Sequence, residues 1–111
     1  MNSTTYNNIY KDLKGLEYLG FSLESRSDSD GKQIVISLES DRVLVVQGFG
    51  LELYKDMELT AKAGFKLSDM KFSKQKQNQS KQVVAVMFEN QETAGSIHVY
   101  GRDLLITGSV S

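Results

Sequence analysis

Apolar and polar positions alternate with period two through the middle of the chain: Leu51, Leu53, Met57, Leu59, Ala61, Ala63, Phe65 and Leu67 all fall at odd numbers. Glu52, Tyr54, Asp56, Glu58, Thr60, Lys62, Lys66 and Ser68 lie between them. Strand side chains point alternately to opposite faces, so this spacing predicts sheet with one dry and one wet side. The same stretch contains good helix formers, with Leu53, Met57 and Ala61 four apart and Gly64 placed as a C-terminal cap. For 51–63 the strand reading accounts for more positions, whereas a helix would make the fold a more balanced α+β mixture.

A different period marks the N-terminal segment. Tyr6, Ile9, Tyr10, Leu13 and Leu16 follow the three-and-four spacing of one helical face, Ser3, Thr4 or Thr5 can cap its start, and Gly15 or Gly20 can close its end. A length of about three turns is expected. Two tyrosines on the buried stripe need partners for their hydroxyls, which places the helix at the margin of a core or across a sheet face. Asp12 and Glu17 offset its two lysines, against a helix that lies on an anionic membrane.

From Tyr18 onward the pattern is that of strands. Tyr18 to Glu24 and Lys32 to Glu39, the latter with Ile34, Ile36 and Leu38 on one face, flank the polar hairpin loop Ser25-Arg26-Ser27-Asp28-Ser29-Asp30-Gly31. Ser40-Asp41 turns the chain into Arg42 to Gln47. Val43-Leu44-Val45-Val46 is apolar on both faces, as is Val83 to Phe88. Two such strands imply a sheet interior covered on each side, by the helix and a second layer or by a partner subunit. Ser96 to Tyr100 and Leu104 to Val110 form a last hairpin about Gly101-Arg102-Asp103. Proline is absent, so strand edges lack one common means of being blunted. The expected fold is α+β, mainly β. One N-terminal amphipathic helix packs with a curved antiparallel sheet of about 6–8 strands, as a sandwich or partly open barrel. All of it fits a single domain over residues 1–111.

Composition narrows the classes. Without cysteine the fold rests on burial and hydrogen bonding, and neither disulfides nor thiolate metal sites contribute. Met1-Asn2-Ser3-Thr4-Thr5-Tyr6 lacks the basic start and apolar run of a secretory signal, and no apolar stretch has the length of a membrane span. A cytoplasmic protein without a membrane partner is expected, and the triplets Asn2-Ser3-Thr4 and Asn78-Gln79-Ser80 read as chance glycosylation matches.

The formal net charge is −1, but it is unevenly spread: Lys62, Lys66, Lys71, Lys74, Lys76 and Lys81 face a single acid, Asp69. Within this region Ser73 to Gln82 carries no apolar side chain and reads as a solvated loop. Lys71, Lys74, Lys76, Asn78 and Lys81 are the candidate binding set, since ammonium groups and amides contact phosphate oxygens or an acidic protein surface. The loop lacks arginine and aromatic residues, so stacking platforms for single-stranded nucleic acid are missing and any such contact is weak and salt-dependent.

Catalytic constellations are not legible. His98 is the only histidine, it shares its strand face with Ser96 and Tyr100, and no Gly-x-Ser-x-Gly elbow occurs. No spacing singles out a pair of carboxylates for acid–base work. Asp28-Ser29-Asp30-Gly31 resembles the middle of a calcium loop, but alignment on Gly31 puts Arg26 at the first ligand position and Ser37 at the last. Gly48-Phe49-Gly50 has Leu53 where a dinucleotide fingerprint needs its third glycine, and fits a bend between strands. Gln82-Val83-Val84-Ala85-Val86 resembles the Gln-x-Val-x-Gly loop of cystatins over five residues, with Val86 in place of the glycine and several strands before it; no family assignment follows.

No enzyme activity, catalytic residue, metal or cofactor is therefore expected. The leading expectation is a small accessory protein that binds a protein partner through an exposed sheet face or edge, acting as a homo-oligomer. Alternatives are a β-cup carrier of a small apolar ligand, or weak binding of nucleic acid or an anionic partner through residues 71–82.

Overall fold

A computed structural model describes residues 3–28, 31–38, 41–48, 50–75, 84–85, 94–99 and 103–109. Helix α1 covers Ser3–Lys14, and Tyr6, Ile9 and Leu13 of its apolar stripe are buried while Tyr10 and Leu16 pack at the margin. Of the two candidate closing glycines, Gly20 carries the left-handed conformation (φ 104°), after a 3-10 turn at Glu17–Leu19. This turn replaces the strand expected from Tyr18, because the backbone bonds Leu19 N–H to Leu16 and Gly20 N–H to Glu17 are helical in type.

The first sheet is a five-stranded antiparallel meander, ordered β1 Ser22–Asp28, β2 Gly31–Ser37, β3 Arg42–Gln47, β4 Gly50–Lys55 and β5 Glu58–Gly64. β6 Lys71–Lys74, β7 Val84–Ala85, β8 Ala94–Val99 and β9 Leu104–Ser109 form the second, in the order β6-β9-β8-β7. The fold is α+β and mainly β, with nine described strands in two antiparallel sheets. One core joins the helix and both sheets: Leu13, Ile34, Ile36, Leu44, Val46, Leu51, Phe65, Ile97, Leu104 and Ile106 are fully buried within it. Each such aliphatic or aromatic side chain contributes about 1.5–3 kcal/mol through burial.

The helix packs into the core beside β1 and β2. Tyr6 hydrogen-bonds through its hydroxyl to Ser25 of β1, and the Lys32 ammonium of β2 stands 5.0 Å above its ring. Tyr10 stacks on Tyr6 with centroids 6.2 Å apart. The hydroxyl of Tyr6 thus has the partner that its place on the buried stripe demands.

Two further expectations are corrected. The hairpin loop after β1 is shorter than the polar run Ser25–Gly31, because Ser25, Arg26, Ser27 and Asp28 pair with Ile34, Gln33, Lys32 and Gly31; an edge strand accepts polar residues on its open side. Ser73 and Lys74 are likewise strand, paired with Leu105 and Leu104, and Gln75 is buried with its N–H bonded to Asp103. The stripe expected as strand over 51–63 is strand, as β4 and β5, joined by the two-residue turn Asp56-Met57, both at positive φ (50° and 67°) as a type I′ hairpin requires.

The register in that hairpin decides which residues are wet. Leu53 faces Ala61 but Tyr54 faces Leu59, so Thr60 is an extra residue in β5, and its hydroxyl donates to the Leu53 carbonyl at 3.0 Å. The bulge gives the two ends of β5 opposite parity. Leu51, Ala63 and Phe65 keep to the core, whereas Leu59 emerges beside Tyr54 and is 50% exposed, and Met57 is 95% exposed. Gly50 has no alternative here, because a Cβ would stand 2.1 Å from the carbonyl oxygen of Ala63.

Candidate functional site

The side of the first sheet away from the core is built from alternate residues of five strands. In register they form the rows Glu24–Val35–Val45–Glu52–Lys62 and Ser22–Ser37–Val43–Tyr54–Leu59. Val43 and Val45 are partly open, and Val35, flanked by Glu24 and Val45, is only 3% exposed although it lies outside the core. The centre of this face is apolar.

Polar groups around that centre are held in place. Gln33 Nε2 donates to Gln47 Oε1, Gln47 Nε2 to Glu52 Oε1, and Tyr54 Oη to the same Glu52 oxygen at 3.2 Å, a chain that crosses β2, β3 and β4. Burial, with the Glu52 hydrogen bond and charge adding to it, raises the Tyr54 pKa above the usual phenol value. On the edge strand, Arg26 makes two 3.0 Å bonds to Glu24, which lowers the Glu24 pKa. A network fixed across three strands holds its donors and acceptors in a preset pattern.

At one end of the face lies a cleft of about 390 Å³, lined by Asp41, Val43, Tyr54, Asp56 and Met57. Asp56 N–H donates to the Asp41 carbonyl at 2.8 Å, which ties the turn before β3 to the turn between β4 and β5. Val43 and Tyr54 are register partners and make the floor. Among the described residues neither aspartate carboxylate has an ion-pair partner. The sequence does not announce this site, since its residues come from two separate segments and the turn that carries Met57 has no glycine to mark it.

The residues expected from sequence are only partly brought together. Lys71 and Lys74 are exposed in β6, but they are three apart in a strand and so project to opposite sides. Lys71 lines a polar cleft of about 440 Å³ between α1 and the segment 67–71, with Asn8, Lys11, Asp12 and Ser68. Lys76, Asn78 and Lys81 lie outside the described residues. His98 is in β8, in register with Val84 and Leu105. Among the described residues no group of three or more histidine, aspartate or glutamate side chains could hold a metal ion, and no helix is long and apolar enough to cross a membrane. Comparison with known proteins finds no family model, no curated sequence and no solved structure that matches the chain.

Proposed function

We propose that this chain is a non-catalytic accessory module that binds a protein partner, another molecule or a second copy of itself, through the outer face of its five-stranded sheet. The observation that carries this reading is the partly open pair Val43 and Val45 on the side away from the core, continued by half-exposed Leu59 and by Met57 at the turn. Contact surfaces commonly combine an apolar middle with a polar rim, and here Glu24, Arg26, Gln33, Gln47 and Lys62 supply the rim. Met57 adds a second argument. A side chain with a Cβ at φ 67° costs stability in a turn that glycine would fill more readily, and a strained, almost fully exposed methionine at the border of an apolar face fits a role in contact.

The competing readings have less support. The interior is filled by the side chains of Ile34, Leu44, Leu51, Phe65 and Ile106, which leaves the β-cup carrier without an evident lumen among the described residues. Lys71 and Lys74 point apart and Lys71 shares its cleft with Asp12, which weakens an anion site built on that strand. The test is a tagged pull-down from the source cells with the native chain, Leu59→Lys and Lys74→Glu. The reading predicts a nuclease-resistant partner that Leu59→Lys loses and Lys74→Glu retains; the reverse pattern overturns it in favour of the basic segment. Sedimentation velocity at two concentrations identifies a second copy as the partner if the mass doubles and Leu59→Lys abolishes the doubling.

A further inference from the structure

The cleft at the end of the outer face has a chemistry of its own. It is lined by Val43, Tyr54 and the almost fully exposed Met57, together with two acidic residues, Asp41 and Asp56. The occupant that satisfies both halves has an apolar stem and a cationic head. Its head must reach two acceptors that come from different turns, which the planar five-donor guanidinium does better than a point charge. Arg42 and Lys55, the basic neighbours in sequence, cannot neutralise the pair from within the cleft, because they pair with each other in register on the opposite side of β3 and β4. Among the described residues Asp41 and Asp56 have no ion-pair partner. Two carboxylates beside an apolar trough are complementary to arginine in charge and in shape.

We infer that this cleft is an arginine pocket: it takes the side chain of an arginine presented by the protein that docks on the outer face, an inference that rests on the proposed function of that face. The methylenes lie along Val43 and Met57, the guanidinium stacks on the Tyr54 ring and donates to the Asp41 and Asp56 carboxylates. Tyr54 keeps its own hydroxyl on Glu52, so the ring is oriented before the partner arrives. Met57, with its unbranched and polarizable side chain, adapts to the stem.

The experiment is an NMR titration of the full chain with an acetylated and amidated Gly-Arg-Gly tripeptide, read at the Met57 methyl and the Asp41 and Asp56 amides. These signals are expected to shift saturably in the millimolar range, with the citrulline counterpart at least about tenfold weaker and the lysine counterpart weaker than arginine. The double variant Asp41→Asn and Asp56→Asn should lose at least about tenfold in affinity with signals elsewhere unmoved; asparagine tolerates the left-handed turn position, so the hairpin is retained. Equal binding of the arginine and citrulline tripeptides on the native chain overturns the pocket without reliance on any variant, as does the absence of saturable shifts up to about 20 mM. If the tripeptide fails but Leu59→Lys still abolishes partner capture, the pocket falls and the face stands. If the tripeptide binds and Leu59→Lys leaves capture intact, the face reading falls, and with it the role of the pocket in docking.

Discussion

Leu44 and Val45 are neighbours in β3 that face opposite ways, and substituting each by alanine asks directly whether the two sides of the sheet differ. Leu44 is 0% exposed at the centre of the core, between Ile36 and Leu53 in register. Its truncation removes buried carbon atoms and leaves a cavity that rigid neighbours do not fill, at a cost of about 3 kcal/mol. Val45 stands between Val35 and Glu52 on the outer face and is partly open. Truncating it removes less buried surface and leaves no enclosed cavity, so the cost is below about 1 kcal/mol. The loss of strand propensity on going to alanine applies to both and cancels in the comparison. Urea denaturation at low micromolar concentration reads the difference. With a slope of about 1.5 kcal/mol/M, the Leu44→Ala midpoint should fall by about 2 M and the Val45→Ala midpoint by less than about 0.7 M, with unchanged slopes. Equal losses at high dilution would mean that the outer side is packed within the chain itself, and the reasoning for an available face would fail.

Other consequences arise from local geometry. Gly50→Ala should cost about 3 kcal/mol or more in the same assay, since its Cβ would meet the Ala63 carbonyl oxygen at 2.1 Å; a change below about 0.5 kcal/mol would show that the β4–β5 pairing is misassigned. Met57→Gly should stabilise the hairpin by about 0.5–1 kcal/mol by relieving the left-handed methionine, while it weakens any contact made through the thioether. A melting temperature that falls would contradict the type I′ turn. Burial raises the Tyr54 pKa, and burial with the nearby Tyr10 raises that of Tyr6. Folded tyrosines that hold their protons more tightly than unfolded ones give stability that is complete below about pH 10 and is lost as pH rises through the raised folded values. Ultraviolet titration of Tyr54→Phe and Tyr6→Phe should therefore remove the latest-ionising phenols and flatten the alkaline loss of stability; phenols that all ionise together would refute the assignment.

Much of the fold was legible because two periodicities are clean. Tyr6, Ile9 and Leu13 mark the buried side of α1, and Ile34, Ile36 and Leu38 the buried side of β2 and its end, with no competing signal. Val43-Leu44-Val45-Val46 read as apolar on both faces, and in β3 Leu44 and Val46 are buried in the core while Val43 and Val45 lie on the outer side. What escaped the sequence escaped for physical reasons. Asp56-Met57 adopts a turn whose second position methionine does not favour, and the bulge at Thr60 breaks the odd-number rule within β5, so Leu59 looked dry and is wet. Strand β6 was hidden because an edge strand beside β9 can be lysine- and serine-rich, as Lys71, Ser73 and Lys74 are. The cleft of Asp41, Val43, Tyr54, Asp56 and Met57 could not be read, since only the pairing of β3 with β4 brings its two segments together.

Site-specific photo-crosslinking in the source cells tests the central claim most directly, with a benzophenone amino acid at Leu59 on the outer face and, in a second chain, at Lys74 on β6. A discrete protein adduct is expected from position 59 and none from position 74. An adduct from position 74 alone would contradict it, and would move recognition from the valine-centred face to the basic strand.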